Sequence, residues 1–145
     1  MYKKTITYKD YLGNERTEDF LFNLSEAELI ELQHSVNGGL AGIVDKIIKT
    51  QDEKQLITIF KDLLLRSYGE ISNDGKYFLK KDHGEPLSDR FVQSPAYSAI
   101  FMELATDDKA ATEFINGIIP ADLAQKVNAA TANGTITPMI ASASN

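Results

Sequence analysis

Two histidines are the side chains of this sequence best suited to catalysis or metal binding. A zinc site or a general base needs convergent partners, such as carboxylates or a second imidazole at ligand spacing. His34 and His83 lie far apart in the chain, and neither has a carboxylate at such a spacing. We therefore expect His34 on a helix face and His83 in a loop, without a catalytic or metal-binding role.

Two glycine-containing stretches resemble ligand-binding loops. NGGLAG at 37–42 follows a predicted helix instead of a strand and lacks the lysine of a phosphate-binding loop, so a helix break is expected. SNDGK at 72–76 offers oxygen ligands in Asn73 and Asp74, but the other acidic positions of a calcium loop are missing. This stretch is predicted to be a turn.

An acidic group, Glu26, Glu28 and Glu31, is expected to be the solvated side of the first helix, where the helix dipole favours negative charge near the N-terminus. The serines show no arrangement with histidine and aspartate that indicates a triad. The sequence therefore predicts no enzyme activity and no cofactor.

Composition and charge narrow the class of partner. The 145 residues are 43% hydrophobic and 25% charged, as in an ordinary globular protein. A net charge of −6 disfavours nucleic acid and anionic membranes as partners. There is no cysteine, and MYKKTITYKD lacks the apolar core of a signal peptide. We expect a soluble intracellular protein.

The hydrophobic period changes once along the chain. Alternation places Ile6 on one face of a first strand, and Phe20 and Phe22 on one face of a second. YLGNER between them contains a Gly-Asn pair suited to a tight turn. These features predict a β-hairpin at about 3–23.

Helical periodicity and capping residues follow the hairpin. Ser25 with Glu28 forms a capping box, Asp52 and Ser94 are further N-cap candidates, and Thr106-Asp107-Asp108 is expected to cap the fifth helix. The predicted helices span about 25–36, 40–50, 54–69, 95–105 and 109–117, and a last helix begins at Pro120. Gly69 and Gly117 are predicted to end the third and fifth of them.

The third helix is apolar over most of its circumference, which predicts a central position. After it, 70–85 is expected to form a small hairpin or an excursion from the helical body. The fold class is thus mainly α (α+β), with an N-terminal β-hairpin packed on a bundle of about five or six helices. The predicted core includes Leu29, Ile47, Phe60, Leu64, Ile100, Phe101, Leu104, Phe114 and Ile115.

The chain is expected to form a single globular domain over 1–130, with its helical part at about 25–130. From residue 131 the composition collapses to alanine, threonine, serine and asparagine, which cannot bury enough apolar surface to become ordered. We therefore expect a flexible, disordered tail at 131–145.

The stretch FINGIIPADLAQKV at 114–127 contains the candidate partner-binding residues, Ile118, Ile119, Leu123 and Val127. Leu123 and Val127 belong to the helix predicted to begin at Pro120. Two alternatives exist for Ile118 and Ile119. They pack against the domain, or they form an exposed apolar step that docks a partner.

The sequence resembles the tail assembly chaperones of long-tailed (siphovirus-type) phages and prophages of Gram-positive bacteria. The resemblance covers roughly residues 1–120 and fades beyond them. It rests on the order of three segments, FNLSEAEL (22–29), IFKDLLLRSYGEISNDGKYF (59–78) and SPAYSAIFMELATDDKAATEFINGIIP (94–120).

This resemblance implies a non-enzymatic morphogenesis factor that binds the tape measure protein and keeps it soluble during tail-tube assembly. Such a protein acts in the host cell cytoplasm and is absent from the mature virion. The tail tube protein and further copies of the same chain are additional candidate partners. The main alternative is a structural tail component retained in the virion. A small-molecule enzyme would need a deep pocket lined by His34 or by convergent carboxylates.

Overall fold

A computed structural model describes residues 1–35, 38–49 and 52–119, which form an α+β fold as predicted. The strands are β1 (Tyr2–Lys9), β2 (Glu15–Phe22), β3 (Tyr68–Ile71), β4 (Phe78–Leu79), β5 (Lys81–Asp82) and β6 (Glu85–Pro86). The helices are α1 (Glu26–Ser35), α2 (Gly39–Lys49), α3 (Glu53–Ser67), α4 (Leu87–Phe91), α5 (Pro95–Thr106) and α6 (Asp108–Ile118). The helix predicted from Pro120 and the tail at 131–145 lie outside the described residues. Across the described ranges, no helix combines the length and apolarity needed to cross a membrane.

The predicted N-terminal hairpin is confirmed. β1 and β2 pair antiparallel without interruption, from Tyr2 opposite Phe22 to Lys9 opposite Glu15. Along β1, exposed side chains alternate with half-buried or buried ones, and Ile6 is the buried residue at its centre. One face of the hairpin therefore covers the core, and the other faces solvent.

The hairpin turn depends on Asp10. Its carboxylate accepts hydrogen bonds from the backbone N–H groups of Leu12 and Asn14, each at 2.9 Å. Gly13 has a φ of +87°, a conformation that glycine adopts without strain. The Arg16 guanidinium also donates to the Asp10 carboxylate at 2.7 Å and joins the turn to the start of β2.

The second hairpin extends the first one into a larger sheet. β3 pairs antiparallel with both β2 and β4, which gives the strand order β1-β2-β3-β4. The Asp74 carboxylate closes the predicted turn by accepting from Ser72 Oγ at 2.7 Å and from the Lys76 N–H at 3.0 Å. The sequence predicts this hairpin but not its pairing with β2, because that pairing joins segments distant in the chain.

Gly69 does not end a helix, contrary to the prediction. α3 stops at Ser67, and the chain becomes extended at Tyr68 and enters β3 directly. A Cβ atom on Gly69 would lie 2.4 Å from the ring of Phe78 and 2.7 Å from the carbonyl oxygen of Leu79. Glycine is required here because the neighbouring strand lies too close for any side chain.

The four predicted N-caps are confirmed. In each, a side-chain oxygen accepts a hydrogen bond from a backbone N–H two or three residues further on, which satisfies an otherwise unpaired donor. The pairs are Ser25 with Glu28 (3.1 Å), Asp52 with Lys54 (3.0 Å), Ser94 with Tyr97 (3.2 Å) and Asp107 with Lys109 (3.0 Å). The short helix α4 follows Pro86, has no side-chain cap and was not predicted.

An aromatic cluster fills the space between the sheet and the helices. The Phe22 ring is fully buried. Four rings surround it, from Tyr2, Tyr68, Phe91 and Phe114, with centroids 5.7 to 6.0 Å from its own. These rings belong to β1, β3, α4 and α6, so one side chain of β2 joins four other elements.

The predicted core agrees closely with the observed one. Leu29 and Phe101 are only partly buried, and the other seven residues of the predicted set are buried. α3 is less enclosed than predicted, because Ile57 is 37% exposed and Ile59 and Leu65 are partly buried. Part of its apolar surface therefore reaches the outside of the fold.

Gly117 lies inside α6 and does not end it, which corrects the second predicted glycine stop. α6 continues to Ile118. A Cβ atom on Gly117 would lie 2.7 Å from Cβ of Tyr2. The glycine therefore allows α6 to lie directly against the first residue of β1.

We expect Gly117→Ala to destabilise the fold by about 1–3 kcal/mol, because the added methyl overlaps Tyr2. At a helical position with open space, the same change stabilises by roughly 0.5–1 kcal/mol. Chemical denaturation measures the free energy of unfolding. In a Tyr2→Gly background, which removes the opposing Cβ, the cost of Gly117→Ala should disappear. Equal costs in both backgrounds would rule out this contact as the cause.

Candidate functional site

The two histidines lie where the sequence predicted them. His34 is exposed on α1, and His83 lies between β5 and β6 with a φ of 51°. His83 Nδ1 is 2.7 Å from a carboxylate oxygen of Asp82, and the His83 side chain is 95% exposed. Within 1–35, 38–49 and 52–119, no three histidine or acidic side chains converge in a way that could hold a metal ion.

The candidate partner-binding isoleucines are buried. Ile118 is 2% exposed and Ile119 is 8% exposed, and both belong to the main hydrophobic core. This placement corresponds to the packing alternative instead of the exposed apolar step. Leu123 and Val127 lie outside the described residues, and a role in partner binding stays a prediction for all four.

Lys80, which follows β4, is a charged group with several hydrogen-bond partners. Its ammonium group donates to the carboxylate of Glu28 at 2.7 Å. It also donates to the backbone carbonyls of Asn23 at 3.0 Å and Arg66 at 2.7 Å. Lys80 therefore ties the end of β2, the first turn of α1 and the last turn of α3 together. A cation is favourable at the last carbonyls of a helix because of the helix dipole.

Glu28 is not merely a solvated residue of α1, as the sequence had suggested. Besides its ion pair with Lys80, its carboxylate accepts from the backbone N–H of Ser25 at 2.9 Å, which completes the capping box. Partial burial acts to raise the pKa of Glu28, but the hydrogen bonds from Lys80 and Ser25 outweigh it, so the pKa lies below its usual value. Glu28 is therefore held ionised and is poorly suited to act as a general acid.

Two adjoining hollows flank this ion pair, and we call them together the Glu28 groove. The first has a volume of about 280 Å³ and is lined by Leu24, Glu28, Glu31, Leu32, Ser35 and Arg66. The second has a volume of about 480 Å³ and is lined by Glu28, Leu65, Arg66, Tyr68, Lys80, Lys81, Pro86 and Ser88. The two share the lining residues Glu28 and Arg66, so they adjoin near the start of α1 and the end of α3.

The lining of the Glu28 groove combines apolar side chains with charges of both signs. Leu65 and Tyr68 contribute half-buried apolar surface. Glu31 brings negative charge at the α1 end, and Lys81 brings positive charge beyond β4. Such a lining suits a peptide with an apolar stripe flanked by charges.

Sequence reasoning missed this groove. The pair Lys80-Lys81 was visible as a basic dipeptide in an acidic chain, but its neighbours in the fold come from α1, α3 and α4. Only the three-dimensional structure brings Glu28 and Lys80 together, because 52 residues separate them in the chain.

Comparison with known protein families gives one informative result. A family model described as phage tail assembly chaperone matches residues 1–144 of the chain. No curated protein and no solved structure matches it significantly.

We expect Lys80→Met to lower the free energy of unfolding by roughly 1–3 kcal/mol at pH 7, because Glu28 and two carbonyls lose their charged donor. A carboxyl group with a lowered pKa in the folded state stabilises the fold above its unfolded pKa of about 4.3. That contribution disappears as the pH falls through the lower folded pKa. Denaturation at pH 7 and pH 3 should therefore show a smaller pH dependence in the variant.

The matched control is Lys81→Met, which removes the same charge from the exposed neighbouring residue. It should leave both the stability at pH 7 and the acid dependence close to those of the unmodified protein. If Lys80→Met and Lys81→Met behave alike, the ion pair with Glu28 does not hold these elements together.

Proposed function

The chain belongs to the phage tail assembly chaperone family, and we propose that it binds the tape measure protein of its phage. In this role it keeps the tape measure protein soluble while the tail tube assembles, and it is displaced as tube subunits arrive. The finished virion then lacks it. The observation that carries this proposal is the family match over nearly the whole chain, at residues 1–144.

The Glu28 groove is the surface we assign to this partner. A tape measure protein is long and helical, so the segment that needs protection is an amphipathic helix with an exposed apolar stripe. A groove with apolar side chains such as Leu65 in its lining and charges at its ends accommodates such a helix. Glu31 lines the first hollow and Lys81 the second, and pairing with these opposite charges gives the bound helix a preferred direction.

The charge of the chain fits a protein that coats a long partner. With a net charge of −6, coated assemblies repel one another and stay in solution. Displacement by tube subunits requires that each contact be modest, so avidity comes from many chaperones on one tape measure protein. The tail tube protein and other copies of the chain are further partners within this proposal. The setting we infer is the host cytoplasm, for a long-tailed phage or prophage of Gram-positive bacteria. The proposed role involves no enzyme activity.

Co-expression tests the proposal directly. The chain should raise the soluble fraction of the tape measure protein of the same phage, measured by centrifugation and gel densitometry. Leu65→Glu, which places a charge in the Glu28 groove, should abolish most of this effect. Met102→Glu is the matched control, because it introduces the same charge at a 50% exposed apolar position on α5, outside the groove.

Circular dichroism and melting temperature establish that both variants remain folded. An unchanged solubility of the tape measure protein with the unmodified chain would refute the proposed partner. Equal loss of activity in Leu65→Glu and Met102→Glu would instead refute the groove as its binding site.

Mass spectrometry of purified virions distinguishes a chaperone from a structural tail component. The chain should be present in lysates of infected cells and missing from virions in which the tape measure protein is readily detected. Detection in virions at a level comparable with that of tail tube subunits would identify a retained tail component instead.

A further inference from the structure

β1 is a long strand for the edge of a sheet. In the order β1-β2-β3-β4, it pairs only with β2 among the described residues, and it runs for eight residues in unbroken register. Natural proteins protect such edges with short strands, proline, bulges, covering segments or lysines. β1 has neither proline nor a bulge, and it carries lysines. The opposite edge, β4, has only two residues.

The hydrogen-bond phase of the sheet tells which backbone groups of β1 point outward. The N–H of Asp10 donates to the carbonyl of Asn14 at 2.9 Å, so Asp10 faces the second arm of the hairpin. Across the sheet, the N–H of Asn23 donates to the carbonyl of Ser67 at 2.7 Å, so the backbone N–H and C=O groups of the preceding residue, Phe22, face β1. Both bonds imply that the even-numbered residues of β1 direct their backbone N–H and C=O groups toward β2. The outward N–H and C=O groups are those of Lys3, Thr5, Thr7 and Lys9.

These outward groups have no backbone hydrogen-bond partner among the described residues. The side chains of the same four residues are exposed. The intervening residues, Tyr2, Lys4, Ile6 and Tyr8, are half-buried or buried on the core side. The strand is therefore fixed in an extended conformation before any partner arrives, which lowers the entropic cost of binding.

The charge of β1 is opposite to that of the chain. The strand carries three lysines and no carboxylate, whereas the whole chain carries −6. Lys4 pairs with Glu103 of α5 at 2.7 Å, which leaves Lys3 and Lys9 exposed. On its inner side β1 already pairs with an acidic strand, because ERTEDFLF in β2 has three carboxylates and one guanidinium. Opposite charges across paired strands stabilise a sheet, and like charges destabilise it.

The same charges disfavour pairing of two β1 edges. Each copy would bring the exposed lysines Lys3 and Lys9 to the interface, with no carboxylate from β1 itself. In an antiparallel pair centred on Ile6, Lys3 would lie directly opposite Lys9 twice, which is unfavourable. An acidic segment of a different protein is therefore the favoured partner.

We propose that the outer edge of β1 binds an extended acidic segment of a partner protein as a fifth strand of the sheet. Main-chain hydrogen bonds to Lys3, Thr5, Thr7 and Lys9 provide the affinity, and pairing of carboxylates with Lys3 and Lys9 selects for acidic sequences. This surface is separate from the Glu28 groove, so the inference goes beyond tape measure binding and does not depend on it.

The test uses an eight-residue peptide that alternates glutamate with valine, and the same peptide with lysine in place of glutamate. Amide exchange followed by NMR should show new protection at Lys3, Thr5, Thr7 and Lys9 with the acidic peptide only. The amides of Lys4, Ile6 and Tyr8 bond to β2 and should be protected before and after addition. Binding should weaken as salt is added.

Variants separate the edge from general electrostatics. Lys3→Glu with Lys9→Glu should weaken binding of the acidic peptide by about tenfold, from two reversed cross-strand pairs. The control, Lys61→Glu with Lys109→Glu, changes the net charge equally at exposed helical positions and should leave affinity nearly unchanged. Thr7→Pro removes one outward donor without removing a bond to β2 and should also weaken binding.

Four results would overturn the proposal. The first is no binding of the acidic peptide at millimolar concentration, and the second is new amide protection outside the odd-numbered residues of β1. The third is an equal loss of peptide affinity in the two double variants. The fourth is a dimer of the chain, seen in sedimentation, that Thr7→Pro abolishes. The last would identify a second copy as the occupant. Solubilisation of the tape measure protein is measured separately, so failure here leaves the Glu28 groove untouched.

Discussion

Phe22 occupies the point where the two hairpins and two of the helices meet, and its burial fixes how they meet. Because side chains alternate along a strand, turning Phe22 inward turns Leu21 outward and sets the register of β2 against both neighbours. A slip of one residue would expose Phe22 and remove the centre of the aromatic cluster. The burial of Phe22 therefore constrains the register of β2, the packing of the helices and the composition of the core together.

The same constraint leads to the groove. Tyr68, opposite Phe22 in the sheet, stacks on Phe91 at 4.1 Å, and burial raises the pKa of Tyr68 to about 12. The phenol therefore stays neutral to a higher pH than an exposed tyrosine does, which is compatible with its place in the aromatic cluster. Because Tyr68 directly follows α3, its position also fixes the last carbonyls of that helix, to one of which Lys80 donates. The positions of Tyr68, the end of α3 and Lys80 therefore shape the Glu28 groove at the surface.

The sequence predicts what local chemistry decides. The capping box of Ser25 and Glu28 and the cap at Asp107 involve partners within three residues. The first was identified correctly, and the second lies within the predicted run Thr106-Asp107-Asp108. Gly69 and Gly117 show the limit. Each follows a helical pattern, as a helix-ending glycine does, but each is glycine because another strand approaches its backbone, β4 at Gly69 and β1 at Gly117. A sequence pattern cannot distinguish these two reasons for a glycine.

The candidate site was less predictable for the same reason. Ile118 and Ile119 stood out as adjacent apolar residues beside a glycine and a proline, and the fold buries both. The groove depends on Glu28 meeting Lys80 across the fold, and the free edge of β1 depends on which strand lies at the margin of the sheet. Neither relation has a local signature, because both follow from strand order.

Strand order also determines how the two proposed surfaces relate. β1 is one edge of the sheet, and Lys80 and Lys81 follow β4, which is the other edge. A helical segment in the groove and an extended acidic segment on β1 can therefore bind without competing for the same residues. If both segments belong to one assembly, the second contact becomes intramolecular, and two weak contacts give strong retention. Loss of either contact then returns the chain to weak binding, which fits the proposed displacement by arriving tube subunits.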